Sequence, residues 1–142
     1  MPKSQKSIQE EVFLGIDYGE KNIGLALGRN GYVYPLSIVS GTNMMSAVHE
    51  ITRLALENKI SKFIVGIPLT GDEKETQQSL ATRKFVKLLK IISKKPVIFV
   101  NEFDSSKEAQ AEKAYFGVSA KKAALSDHVS AAIILQRFFE TR

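Results

Sequence analysis

Three strand-forming stretches, Val12 to Tyr18, Asn22 to Gly28 and Tyr32 to Val39, follow one another with almost nothing between them. Parallel neighbours need a crossover of a dozen or more residues, so connectors as short as "YGEK" and "RNG" permit only hairpins. The chain therefore has to begin as an antiparallel meander. Pro35 interrupts the third stretch, and a residue without an amide proton belongs on an edge strand.

From Asn43 the period changes. Met45, Val48, Ile51, Leu54 and Ala55 recur at helical spacing, with Thr42 or Asn43 available as the cap. "KFIVGIP" then reads as a buried strand, Gln77 to Ser93 as a second helix and Pro96 to Asn101 as another strand. Strands separated by helices pair in parallel. "SSKE", Ser105 to Glu108, has the form of a capping box and predicts a third helix to about Tyr115. A fourth begins near Ser126 and runs through "HVSAAIILQRFFE", apolar on more than one face as packing across a sheet requires. The expected fold is α/β: a five-stranded mixed sheet, with a three-strand antiparallel meander and then two parallel strands, flanked by helices. With 142 residues and no linker or internal repeat, the chain reads as one domain over residues 12–142 behind a polar, flexible tail over residues 1–11.

Composition narrows the function. Without cysteine there is no disulfide framework and no thiolate metal cage, which suits a reducing cytoplasm. No apolar run reaches membrane-spanning length, and "MPKSQKSIQEE" lacks the hydrophobic core of a secretory signal. A soluble cytoplasmic protein with no membrane partner is expected. His49 and His128 are the only histidines, and both fall in helical segments, so surface or packing roles suit them better than a two-histidine metal site. The 20 basic and 15 acidic residues leave a charge of +5, a mild tilt towards a polyanionic partner.

Three carboxylates stand at element ends. Asp17 closes the first strand, Glu102 follows the fifth, and Asp127 lies in the first turn of the last helix. In open sheets, sites form beyond the carboxyl ends of neighbouring parallel strands, where the three could converge. Clustered carboxylates repel unless a cation sits among them, and oxygen-only ligands select hard ions such as magnesium or manganese. Acids are also common as turn formers and helix caps, and on the residues alone the two readings stand level. Gly19, in the turn after Asp17, would let a ligand approach the backbone, and Lys21 could meet a phosphate. "TGDEKE" after the fourth strand reads either as a substrate-side loop or as a helix start at Thr70 or Asp72. Lys87, Lys90, Lys94, Lys95, Lys121 and Lys122 could track a nucleic-acid backbone or form solvated faces, and position relative to the acidic site would decide.

"GIDYGEKNIGLALG" resembles the opening motif of the YqgF (RuvX) family, pre-16S rRNA nucleases related to Holliday junction resolvases. "VGIPLTGDEKE", "ATRKFVKLLK", "PVIFVNEFDSSKEAQ" and "KKAALSDHVSAAIILQRFFE" resemble its later blocks in the right order, from about Val12 to Glu140. The resemblance implies an RNase H-like fold and a magnesium-dependent endonuclease, manganese being an alternative ion, that acts on pre-16S rRNA or the small-subunit precursor. By position in the motifs it makes Asp17, Glu102 and Asp127 the catalytic metal ligands, with Gly19, Lys21 and Ser105 on the substrate side. Two departures stand out. Lys21 is followed by Asn22 where the family has arginine, and the block that is "DERLT" in character reads "NEFDS" here, with Asn101, Phe103 and Asp104 in changed places. Two alternatives stay open: a Holliday junction resolvase on branched DNA, which would need a symmetric dimer rather than a monomer, and a non-cleaving RNA-binding assembly factor.

Overall fold

A computed structural model of the chain describes residues 10–72, 74–102 and 126–142. The elements are β1 (Val12–Asp17), β2 (Asn22–Arg29), β3 (Tyr32–Ser40), α1 (Met44–Glu57), β4 (Lys62–Ile67), α2 (Gln77–Ser93), β5 (Val97–Asn101) and α3 (Ser126–Glu140). The expected capping box at Ser105, its helix, and Lys121 and Lys122 lie outside the described residues. So does most of the expected tail, although Glu10 and Glu11 are held, by Arg29 at 3.4 Å and by Lys62 at 3.4 Å.

The five strands form one sheet in the order β3-β2-β1-β4-β5. β1, β2 and β3 pair antiparallel, and β4 and β5 add to β1 in parallel. This is the expected meander with two crossover strands. The turn from β2 to β3 is Asn30–Gly31, with φ of 54° and 80°, the left-handed pair that a two-residue hairpin of matching twist needs. Pro35 does sit on an edge strand, beside an irregularity in the β2–β3 register.

Strand alternation divides the core between the two faces of the sheet. Leu14, Ile16, Leu25, Phe63 and Val65 point to one face and are covered by Val48 and Ile51 of α1 and Phe85 and Leu89 of α2. Phe13, Ala26 and Ile64 point to the other, beneath Ala131, Ile134, Leu135 and Phe138 of α3. α3 can lie this close because β1 carries Gly15 at the crossing, where a Cβ would come within 2.5 Å of Leu135 Cγ. At its far end Phe138 and Phe139 pack edge-on against Phe13, with centroids 5.0 and 5.6 Å away.

The helix starts follow from side-chain chemistry. Asn43 caps α1, its Oδ1 accepting from the Ser46 amide at 3.0 Å. Asn43→Ala should lower stability by about 1 kcal/mol, read as a shift of the urea midpoint at constant slope. α2 starts later than a cap at Thr70 or Asp72 would place it. Thr70 instead closes a local loop, its hydroxyl bonded to Asp72 and accepting from the Lys74 amide. Thr76 is the cap: its hydroxyl accepts from the Ser79 amide at 2.9 Å and donates to the Pro68 carbonyl at 3.0 Å, while Ser79 returns a bond to the Thr76 amide. Among the described residues no helix is long and apolar enough to cross a membrane.

Candidate functional site

The carboxyl ends of β1, β4 and β5 lie side by side, and the residues there share a face. Counting along β1 in steps of two from Phe13 and Gly15, which lie beneath α3, brings Asp17 to the same side. In β4 the same count from Ile64 arrives at Gly66, and in β5 from Ile98 and Val100 at Glu102, the residue just past the strand. The Glu102 amide still donates to the Ile67 carbonyl at 3.1 Å, so the strand geometry continues through it.

Gly66 is the centre of this arrangement. A Cβ built on it would lie 2.7 Å from Glu102 Oε2 and 2.4 Å from Ile134 Cδ1. The Glu102 carboxylate therefore extends sideways across β4 into the space a side chain would fill. Ile16 of β1 pairs with Val65, so Asp17 is the next residue along on the neighbouring strand. Strands are spaced about 4.8 Å apart, so reaching over β4 brings the Glu102 carboxylate to roughly one strand spacing from β1. Both acids are only partly exposed.

α3 runs towards the same place. Phe139 covers Gly28, Leu135 and the Ala131 carbonyl cover Gly15, and the helix continues back towards the carboxyl ends of the strands. Asp127 is one turn before Ala131, about 6 Å along the axis in the direction of Asp17. Its backbone is placed, but its side chain, like Ser105 and Asp104, lies outside the described residues. Among the described residues no three acids, histidines or cysteines form a metal-sized group; of the expected three, Asp17 ends β1 and Glu102 follows β5, on the same face of the sheet.

The turn after Asp17 is fastened on two sides. Gln78 of α2 donates to the Tyr18 carbonyl at 2.9 Å, and the Tyr18 ring stacks on Phe85 at 4.6 Å. Burial, with the Glu20 charge adding to it, raises the Tyr18 phenol pKa and keeps it neutral. The Gly41 amide donates to the Lys21 carbonyl at 2.9 Å. Gly19 has a reason internal to the protein: a Cβ there would lie 2.5 Å from the Asn22 carbonyl oxygen. Lys21 is exposed beside Asp17. In the loop before α2, Glu75 is held by Arg83 through bonds of 2.7 and 2.9 Å, which lower its pKa.

The sequence motifs single out none of Gly66, Gln78 and Gly41 as parts of the site. The available signal for Gly66 was a glycine inside the otherwise apolar run "KFIVGIP", which marks close approach by another group.

A mixed sheet in the order β3-β2-β1-β4-β5, helices on both faces and acids gathered at the ends of β1 and β5 define an RNase H-like α/β protein. Solved structures agree on the fold. Thermus thermophilus RuvC in complex with a Holliday junction substrate superposes with a TM-score of 0.55 at 11% identity, covering 87% of this chain and 91% of that one. Fowlpox virus resolvase with Holliday junction DNA gives 0.52 at 13% identity, covering 90% and 98%. The chain belongs to the RuvX family, described as Holliday junction resolvase, whose sequence profile matches residues 11–141. A Thiobacillus denitrificans protein is 32% identical over 132 residues, 91% of each chain. One from Bordetella pertussis is 35% identical over 134 residues, 93% of this chain and 96% of the relative. Both carry the name "Putative pre-16S rRNA nuclease".

Proposed function

We propose that the protein is a metal-dependent endonuclease that hydrolyses phosphodiester bonds in the maturation of the pre-16S rRNA 5′ end. The observation that carries this reading is the Glu102 carboxylate lying over Gly66, on the strand that neighbours the one Asp17 ends. The carboxylate stands in the space over β4 at the carboxyl ends of the parallel strands, where open sheets place their ligands. Two oxygen-bearing groups a strand apart, with a third acid one turn before the helix residues that cover them, suit magnesium or manganese.

Asp17, Glu102 and Asp127 would hold the ion. When bound, it supplies positive charge to the phosphate and makes water a better nucleophile. The chain's own residues do the rest. The fixed turn from Tyr18 to Asn22 presents Lys21 to the phosphate, and its anchorage to Gln78 and Gly41 keeps that ammonium in register with Asp17. Overall, water adds across one P–O bond, leaving a hydroxyl on one product end and a phosphate on the other.

The test is cleavage of an end-labelled precursor 16S rRNA fragment with magnesium, manganese or chelator. Discrete cuts that require the metal are expected. A second reading, supported by the family's description, is resolution of branched DNA. Symmetric cuts in a four-way junction by a stable dimer, with precursor RNA left intact, would replace the first reading with it. Binding of RNA without cuts under any ion would instead point to an assembly factor.

A further inference from the structure

The positive charge of this protein is not spread over it. The segment Gln77–Lys95 holds six of the 20 basic residues and none of the 15 acidic ones, so the rest of the chain carries 14 basic against 15 acidic. The whole net charge therefore resides on α2 and its C-terminal end. Elsewhere, Arg29, Arg53, Lys62, Lys74 and Arg142 each sit against a carboxylate. Lys84, Lys87, Lys90, Lys94 and Lys95 make no ion pair among the described residues.

Arg83, Lys87, Lys90 and Lys94 follow one another at helical spacing, a stripe about 16 Å long. It borders a groove of about 340 Å³ between α2 and the edge strand β5, floored by Val86, Ile91 and Phe99. Ile91 is 63% exposed and Phe99 37%. Arg83, pinned by Glu75, lies 5.2 Å above the Phe99 ring, so a guanidinium and an aromatic face are presented together. The helix begins at the candidate active site, where Gln78 holds the carbonyl next to Asp17, and the cations lead away from it around the edge of the sheet.

We propose that this groove carries single-stranded RNA flanking the cleavage site, with phosphates along Lys87, Lys90 and Lys94 and a base against Phe99. Unpaired cations beside an exposed aromatic are what single strands use, charge for the backbone and stacking for bases. The proposal rests on the nuclease reading, and the test separates the two.

The experiment measures binding and cleavage of two precursor 16S rRNA fragments by the wild type and by Lys87→Gln/Lys90→Gln. One fragment spans only the cut, and the other extends about ten nucleotides beyond it on each side. Both lysines are exposed and glutamine keeps helix propensity, so the variant should fold as the wild type does. For the long fragment the slope of log K against log salt should fall by about 1.4, two contacts at about 0.7 each. Affinity should fall about tenfold, while the short fragment is bound and cut as before. An unchanged slope and affinity for the long fragment, with cleavage intact in the wild type, would overturn the groove and leave the nuclease standing. The surface would then fit an acidic protein partner. A lowered slope in a protein whose wild type cuts neither fragment would keep the groove and overturn the nuclease.

Discussion

Asp17→Asn yields a folded protein whose metal-dependent cleavage falls by more than about 100-fold. The fold survives because Asp17 ends β1, its pairing with Gly24 uses the backbone, and asparagine has nearly the same shape. Chemistry is lost because an amide offers one neutral oxygen and a hydrogen-bond donor where a carboxylate offers two anionic acceptors. A readout apart from activity follows by mass action. Magnesium should raise the melting temperature of the wild type and leave that of the variant nearly unmoved. Cleavage equal to wild type, with chelator still abolishing it, would remove Asp17 from the catalytic set.

Gly66→Ala damages both packing and chemistry through a single methyl group. Its Cβ would meet Ile134 Cδ1 at 2.4 Å and Glu102 Oε2 at 2.7 Å. Ile134 is fully buried and has nowhere to retreat, so overpacking should cost about 1–3 kcal/mol. Glu102 follows the edge strand β5, and the new methyl group takes the space over β4 that its carboxylate occupies, which displaces the carboxylate from the candidate site. Pairing the change with Ile134→Val distinguishes the two effects. The double variant should regain part of the lost stability and none of the lost cleavage. Recovery of both together would mean that the space over Gly66 matters only for packing.

The sequence made the order of elements legible because hairpin connectors and helical periods are local properties. α2 occupies Gln77–Ser93 as its pattern indicates, and Pro35 marked the edge of the sheet before any pairing was known. Asp17 and Glu102 stood out because each follows an apolar strand. What could not be read was who stands across from whom. A glycine in "KFIVGIP" does not reveal that a glutamate three dozen residues later leans over it. Nor does "TGDEKE" reveal that Thr70 turns inward on Lys74 and leaves the capping to Thr76. The lysines of α2 could be counted from the sequence, but their meaning depends on Phe99 of β5 closing a groove beside them.

The two faces of the sheet are completed at different moments in the life of a nascent chain. α1 and α2 are close in sequence to the strands they cover, whereas α3 returns to β1 from over a hundred residues downstream. Such distant closures come late, because the intervening chain must be ordered before they are rewarded. Until residues 126–140 have left the ribosome, Phe13 and Ile64 lack their cover and Asp17 and Glu102 lack the helix that carries Asp127. On the function proposed above, a chain that has not yet docked residues 126–140 is thus inert towards the RNA that surrounds it, and gains the capacity to cut only when that helix covers the sheet.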